Sequence, residues 1–218
     1  MIIRDKKILF VHIPKTGGQS ISKFFYENLG HVWDQKNKNK KEFLFLQNYD
    51  RKLPGPEVLV HMTASEYIDL GYISQLEFED FFKFTIVRNP YTRFISAFKF
   101  NKLYEKYHIE DFIDYIPSDN MTDLYRHFAP QTSYILSGNT YMIDKIIYFE
   151  NLDDEFNNYI IQPFGLRGTL SKINKTKYKQ KSKITITKKV KDFIDEYYQK
   201  DFSELGYKHS ETGRLFKL

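Results

Sequence analysis

The chain has 218 residues, of which 41% are hydrophobic and 17% aromatic, so it can build one domain with a substantial core and is too apolar to be a disordered segment. It contains no cysteine, which excludes disulfide frameworks, zinc–thiolate sites and a cysteine nucleophile. The 33 Lys and Arg against 28 Asp and Glu leave a formal charge of +5, a mild excess that only weakly favours an anionic ligand.

The first predicted unit is a buried strand that leads through a glycine turn into a helix. Residues 8–13 form a nearly continuous apolar run, typical of a strand buried on both faces of a parallel sheet, and Pro14 ends it. His12 lies inside this run and is expected to be a satisfied core residue. Beyond the turn, apolar residues recur at helical spacing as far as the stop signal at Gly30: Ile21, Phe24, Phe25 and Leu29.

Three further strands are predicted, over residues 58–61, 82–87 and 145–149. Thr63 and Glu66, just after the first of them, have the spacing of a capping box that opens a helix.

More helices are predicted in the second half of the chain. A long helix follows Pro90, two shorter helical stretches lie within residues 109–136, and a last helix runs from about 187 to 200. The alternation of strands and helices predicts one α/β domain over residues 1–218, with a mostly parallel central sheet flanked by helices.

No membrane segment is predicted. No run approaches the roughly 20 apolar residues that a membrane-spanning helix needs, and residues 8–13 are too few for the core of a signal peptide. We therefore expect no transmembrane segment and a cytoplasmic location.

Residues 14–20 (Pro-Lys-Thr-Gly-Gly-Gln-Ser) lie where the first strand passes into its helix. Glycines there let backbone N–H groups converge on an anion, and the helix start adds free N–H groups and its dipole. A plain strand-to-helix turn would also use glycine, but Lys15 adds a mobile charge, and Thr16 and Ser20 add hydroxyl donors. The segment is not the P-loop of nucleoside triphosphatases, because its lysine precedes the glycines. It predicts a sulfate or phosphate site formed by Lys15, Thr16, Gly17, Gly18, Gln19 and Ser20.

Residues 87–98 place a second strand end beside a second helix start. Arg88 can hold a phosphate through two N–H groups, and Ser96, about two helical turns later, can address the same anion if the loop folds back. Taken singly, Arg88 could be a surface ion-pair residue and Ser96 an ordinary helix serine. Arg93 either assists at this site or pairs on the surface.

Both segments resemble the nucleotide loops of the carbohydrate sulfotransferases, a group similar to sulfotransferase family 2 and related to the heparan and chondroitin O-sulfotransferases. Residues 13–20 match the 5′-phosphosulfate loop I-P-K-T-G-G-T-S except at Gln19, where Thr or Ser is usual. Residues 87–98 match every fixed position of the 3′-phosphate motif V-R-N-P-x-x-R-x-x-S-A-[FY]. The resemblance implies a P-loop-kinase-like fold and 3′-phosphoadenosine-5′-phosphosulfate (PAPS) as the sulfuryl donor, with Arg88 and Ser96 on its 3′-phosphate. No metal is expected.

His61 is the predicted general base, a role that typically contributes about 10²–10⁴-fold to a rate. It ends a predicted strand on the sheet edge shared by the two loops, where ligands of open parallel sheets bind. Residues 60–64 resemble the family's His-x-[ST]-A stretch, and a histidine near this point is the base in related glycosaminoglycan enzymes. His127 is a second candidate, in a stretch that in the family tends to lie near the acceptor. Lys15 is also expected to offset the charge that builds on the departing phosphate.

Three later segments extend the resemblance. Residues 149–152 resemble F-E-[NH]-L, in which Glu150 either orients a site residue or caps the next helix. Residues 173–177 resemble the family's basic loop H-x-N-x-[ST]-x-[RK], and this resemblance implies Lys175 and Thr176 as further nucleotide contacts. Residues 197–207 resemble the terminal Y-x-x-D-F-x-x-[FL]-G-Y, which we expect to serve packing.

These patterns together predict in-line transfer of a sulfuryl group from PAPS to a hydroxyl of a carbohydrate or glycoconjugate. Two alternatives stay open. A nucleotide or small-molecule kinase would share the fold, but it should show a Walker lysine beside Ser/Thr and acidic magnesium ligands, which we do not find. A nucleic-acid-binding module would use the basic stretches 34–41 and 172–183, with Tyr178 between the charges of the second. We expect no nucleic-acid partner, and the oligomeric state is open.

Overall fold

Six strands are defined in the computed structural model, which describes residues 1–31, 48, 52–171, 184 and 186–210. The main sheet contains four of them in one order across the sheet, with the first pair antiparallel and the other two pairs parallel. The remaining two strands form a separate antiparallel hairpin. The strands are β1 (Ile2–Ile3), β2 (Ile8–Val11), β3 (Phe82–Val87), β4 (Leu136–Ser137), β5 (Thr140–Tyr141) and β6 (Lys145–Tyr148). The main sheet runs β1-β2-β3-β6, and the hairpin is β4-β5.

Among the described residues, α-helices surround this sheet, and five of them begin at a residue whose side chain caps the helix. The helices are α1 (Gly18–Asn28), α2 (Ala64–Asp69), α3 (Gln75–Asp80), α4 (Pro90–Phe100), α5 (Ile109–Phe112), α6 (Asp123–Phe128), α7 (Leu152–Phe156), α8 (Lys188–Tyr197) and α9 (Gln199–Leu205). The capping residues are Thr63, Ser74, Asn89, Thr122 and Thr187. The capping box predicted for Thr63 and Glu66 is confirmed.

Both faces of the main sheet are buried, as the uninterrupted apolar run of β2 predicts. Ile8 and Phe10 point to one face, where α1 and α7 pack, and Leu9 and Val11 point to the other, where α2 and α3 pack. A further cluster of aromatic side chains joins α4, α5, α6, α8 and α9. The predicted α/β domain with a mostly parallel sheet flanked by helices is confirmed.

The strand predicted over residues 58–61 is wrong. Leu59–His61 is a short 3₁₀-helix, closed by the bonds from the His61 and Met62 N–H groups to the Val58 and Leu59 carbonyls at 2.9 and 3.2 Å. Leu59 is fully buried in the sheet-facing cluster, so this apolar run contributes to the core although residues 59–61 belong to no strand. A four-residue apolar run has no periodicity that separates these conformations.

Three smaller differences concern element ends. The sequence pattern missed β1, which pairs with β2 through only two residues. β2 ends at Val11, so His12 follows the strand instead of lying inside it. The last predicted helix is two helices, α8 and α9, which meet at Tyr198.

In the described part of the chain, no helix has the length and the apolar character that crossing a membrane requires.

Candidate active site

The first predicted anion loop, residues 14–20, contains a tight turn between β2 and α1. Lys15 and Gly17 both have positive φ, 71° and 96°, and α1 begins directly afterwards. The Thr16 hydroxyl donates to the Ile13 carbonyl at 2.8 Å, which closes the turn. A hydroxyl has one hydrogen to give, so in this structure Thr16 has no side-chain hydrogen left for an anion. Ser20, in the first turn of α1, is partly exposed.

Gly18 is required by the ring of His12, since its own backbone lies in the first turn of α1 and has no positive φ. A Cβ at this position would lie 1.9 Å from Nε2 of His12, far inside any permitted contact. The His12 imidazole therefore packs directly against the backbone of the anion loop. It is buried, and its Nδ1 has no hydrogen-bond partner among the described residues, so the expectation of a satisfied core histidine is wrong. Burial, followed by the charge of His61, holds the pKa of His12 well below 6.5.

The second anion loop touches the first. The Arg88 guanidinium donates from Nη1 to the Lys15 carbonyl at 3.3 Å and from Nε to the Thr92 hydroxyl at 3.0 Å. Its carbon lies 4.3 Å from the centroid of the Phe149 ring, a cation–π contact. Burial lowers the pKa of Arg88, with Glu150 acting in the opposite direction. The two strand-end loops are thus in contact and bring the side chains of two cationic residues, Lys15 and Arg88, into one region.

One face of α4 lies beside both loops and extends to a group of histidines. Thr92, Ser96 and Phe100 are spaced by four residues, so they lie above one another along the helix. The Phe100 ring is 48% exposed, lies 3.4 Å from the Lys15 Nζ and stacks on His127 with centroids 5.2 Å apart. Ser96 was singled out from the sequence but Phe100 was missed, because one more phenylalanine in a helix that already contains two carries no distinguishing pattern.

Lys15 is held in an environment that disfavours its charge. Burial, together with the charge of Arg88, lowers its pKa from 10.5 to about 8, although Asp123 acts in the opposite direction. A bound anion would reverse this effect. Two neighbouring cations with depressed pKa values are therefore what a site shaped for an anion should show.

His61, His127 and Asp123 form a compact group beside Lys15. Nδ1 of His61 lies 2.6 Å from Oδ1 of Asp123, and Nδ1 of His127 lies 2.8 Å from the Asp123 carbonyl. The rings of His12 and His61 are 5.0 Å apart, and those of His61 and His127 are 5.3 Å apart. The structure thus brings the predicted base, the second histidine and the first anion loop together.

The acceptors in this group determine which ring nitrogens carry hydrogen. Burial alone would raise the pKa of Asp123, but the hydrogen bond and charge of His61, with smaller contributions from His127 and Arg126, lower it. An ionised carboxylate and a carbonyl can only accept, so Nδ1 carries the hydrogen in both His61 and His127. Burial lowers the pKa of His127 to about 3. The neutral His127 ring therefore leaves Nε2 as a proton acceptor, and the Nδ1–H bond to Asp123 leaves Nε2 of His61 on the side of the ring away from the carboxylate.

Asp123 is the member of this histidine group that sequence reasoning missed. Its spacing of four from His127 on a helix was a visible signal, whereas its pairing with His61, 62 positions away, was not. The same three residues also offer donor atoms that all lie within 4.8 Å of one another, a spacing that a metal ion could use.

A buried ion pair holds the two halves of the histidine group together. Arg126 donates to both carboxylate oxygens of Glu66, at 2.7 and 2.8 Å. Glu66 also accepts from the Thr63 N–H at 2.8 Å, as its capping box requires. This bidentate pair joins α2, which follows His61, to α6, which carries Asp123 and His127.

Arg93 does not pair on the surface. Its side chain is buried and donates to three backbone carbonyls: Pro14 at 3.1 Å, Ala129 at 2.9 Å and His127 at 3.3 Å. It joins the start of the anion loop to the end of α6, so it serves the site through the backbone.

Glu150 orients the second loop. Its carboxylate accepts from the Asn89 N–H at 2.9 Å and from the Tyr207 hydroxyl at 3.0 Å. Asn89 in turn caps α4 through the N–H groups of Tyr91 and Thr92. Of the two roles left open for Glu150, the structure shows the orienting one.

Two predicted nucleotide contacts, Lys175 and Thr176, lie outside the described residues, and so do the basic stretches 34–41 and 172–183 with Tyr178.

Comparison with known proteins agrees with this architecture. The family model described as the sulfotransferase family matches residues 1–208, nearly the whole chain. The chain belongs to the sulfotransferase family, and it is an enzyme that transfers sulfuryl groups. No curated protein and no solved structure matches it.

Proposed function

We propose that the chain transfers the sulfuryl group of PAPS to a hydroxyl of a carbohydrate or glycoconjugate. The observation that carries the proposal is the bond from Arg88 to the Lys15 carbonyl, because it places the two predicted anion loops side by side. A nucleotide with phosphate groups on both its 3′ and 5′ positions needs two such sites at a short separation.

The residues present suit this donor. Gly17 and Gly18 let the backbone turn closely against the Phe149 and His12 rings, where a Cβ would be crowded, and Lys15 adds a cation whose depressed pKa an anion would relieve. We assign the 5′-phosphosulfate to Lys15, Gly17, Gly18, Gln19 and Ser20, together with the backbone of Thr16. The 3′-phosphate is assigned to Arg88 and Ser96, on the strand end and helix that form the second loop. Lys175 and Thr176 stay predictions from the sequence.

The acceptor hydroxyl needs a base, and His61 is the proposed one. Asp123 holds the His61 ring with Nδ1–H towards itself, which leaves Nε2 to take the hydroxyl proton as the new sulfur–oxygen bond forms. The Lys15 ammonium offsets the negative charge that grows on the phosphate oxygen as the sulfur–oxygen bond of the donor breaks. His127 is proposed to bind the acceptor through Nε2.

Calorimetric titration with adenosine 3′,5′-bisphosphate and with ATP, on wild type and Arg88→Ala, tests the nucleotide assignment. We expect tighter binding of the bisphosphate by wild type and loss of that preference in Arg88→Ala. Tighter binding of ATP by wild type would contradict the proposal and favour a kinase.

Transfer of radiolabelled sulfate from PAPS to a panel of saccharides and of non-sugar alcohols tests the acceptor class. We expect product only with saccharides, and His61→Ala should keep bisphosphate affinity while turnover falls about 10²–10⁴-fold. Sulfation of non-sugar alcohols alone would refute the carbohydrate assignment, and unchanged turnover in His61→Ala would move the base to His127.

A further inference from the structure

A fully buried carboxylate lies behind the second anion loop. Asp201, in α9, is 0% exposed and accepts four hydrogen bonds. The backbone N–H groups of Gln131 and Thr132 each donate at 2.9 Å, the Thr132 hydroxyl donates at 2.9 Å, and the Gln131 side-chain amide donates at 3.3 Å. These four donors satisfy a carboxylate whose burial would otherwise be costly, so the position of Asp201 is tied to that of Gln131 and Thr132.

The side chain that Asp201 holds is bonded to the backbone of Arg88. Oε1 of Gln131 accepts from the Arg88 N–H at 2.8 Å, and Nε2 of Gln131 donates to the Arg88 carbonyl at 2.8 Å. Because Nε2 also donates to Asp201, the carboxylate determines which end of the amide is the donor. Gln131 can therefore meet both backbone groups of Arg88 in one orientation only.

Arg88 needs such a partner because it stands where its chain leaves the sheet. β3 ends at Val87, so the parallel ladder no longer constrains the Arg88 backbone. The Gln131 amide replaces that constraint. It thereby sets the origin from which the guanidinium reaches Thr92 and the Lys15 carbonyl.

We propose that Asp201 and Gln131 are positioning residues for recognition of the 3′-phosphate, acting through the backbone of Arg88. The inference rests on the proposed function, since it assumes that Arg88 binds this phosphate. The terminal Y-x-x-D-F segment, expected from the sequence to serve packing, then contributes to nucleotide selection.

A purely structural role would lower stability without changing which nucleotide is preferred. The informative quantity is therefore the ratio of the dissociation constants of adenosine 5′-monophosphate and adenosine 3′,5′-bisphosphate, which differ only by the 3′-phosphate. Calorimetry on Gln131→Met measures it, because methionine keeps the volume of the side chain and removes both bonds to Arg88. Tyr198→Phe is the matched control: it removes a buried bond of 2.6 Å to the Phe128 carbonyl, next to α9.

We expect Gln131→Met to lower the ratio about tenfold, towards the value of Arg88→Ala, with monophosphate affinity nearly unchanged. Asp201→Asn should lower it in the same direction, because its amide sets a donor against the N–H group of Gln131 or Thr132. This second variant decides the matter if the first does not fold. Tyr198→Phe should keep the wild-type ratio.

The outcomes separate the two proposals. A wild-type chain that binds both nucleotides equally would overturn the proposed function, and this inference with it. A wild-type preference that survives in Gln131→Met and in Asp201→Asn would overturn the inference alone. A ratio lowered equally in Tyr198→Phe would also overturn it, since any local loosening would then suffice.

Discussion

Asp123 accepts a hydrogen bond of 2.6 Å from Nδ1 of His61, although 62 positions separate them in the chain. The pair lies beside Lys15, whose ammonium faces the Phe100 ring. The proposed function assigns one task to each of these groups: Asp123 orients the His61 ring, His61 takes the acceptor proton, and Lys15 offsets the charge on the departing phosphate.

Asp123→Asn should lower turnover about 100-fold or more while leaving the affinity for adenosine 3′,5′-bisphosphate unchanged. Unlike the carboxylate, the amide can also donate to Nδ1 of His61, and this stabilises the tautomer whose hydrogen is on Nε2, which then cannot take the acceptor proton. Steady-state kinetics beside calorimetry check this. Loss of nucleotide affinity with intact turnover would show that Asp123 supports the anion loop and not the base.

The affinity for adenosine 3′,5′-bisphosphate should fall as pH rises through about 8, where Lys15 of the ligand-free chain loses its proton. The ligand favours the charged amine, so binding takes up protons in that range and weakens above it. Calorimetry from about pH 6.5 to about pH 9.5, a range of roughly three pH units centred on this pKa, would show the inflection. Lys15→Arg stays charged throughout and should lose the inflection; an inflection that persists in this variant would assign the titration to another group.

The free energy of unfolding should also depend on pH through Lys15, but in the opposite direction to the nucleotide affinity. The pKa of Lys15 is lower in the folded chain than its ordinary value of 10.5, so the unfolded chain binds more protons between about pH 8 and that value. The contribution of Lys15 to stability therefore rises with pH across this window. Chemical denaturation of wild type and Lys15→Met should show a stability difference that changes in favour of wild type as pH rises.

Gly18→Ala should destabilise the chain by about 2 kcal/mol or more, because its Cβ would overlap the His12 ring. The backbone of Gly18 lies within α1, so helical conformation itself does not disfavour alanine there. Adding His12→Ala to Gly18→Ala should recover part of the loss, which a double-mutant cycle in urea would measure. Additive losses would mean that the two positions do not interact.

Metal removal should leave turnover unchanged, and added Zn²⁺ should inhibit. His61, Asp123 and His127 can offer a metal ion three donor atoms, but the proposed base needs one of those nitrogens. Assays with EDTA, and with Zn²⁺ followed by EDTA, distinguish a metal ion that turnover needs from one that only blocks the proposed base. Loss of activity in EDTA alone, restored by a divalent ion, would refute His61 as the base.

Local patterns predicted much of this molecule because local forces form its elements. The buried run of β2, the capping box of α2 and the Pro90 start of α4 each follow from side chains close in sequence. The run at residues 58–61 was too short to carry a period, and its conformation came from what it packs against.

The sequence alone determined the two strand-end loops, the α/β class and the residue types that meet an anion, because glycine, lysine and arginine have those properties wherever they stand. The contacts between Asp123 and His61, between Arg93 and three carbonyls, and between Gln131 and the backbone of Arg88 could be seen only in the folded chain. These contacts join distant segments through the packing of whole helices on the sheet, and short-range spacing in a chain carries no record of such distances.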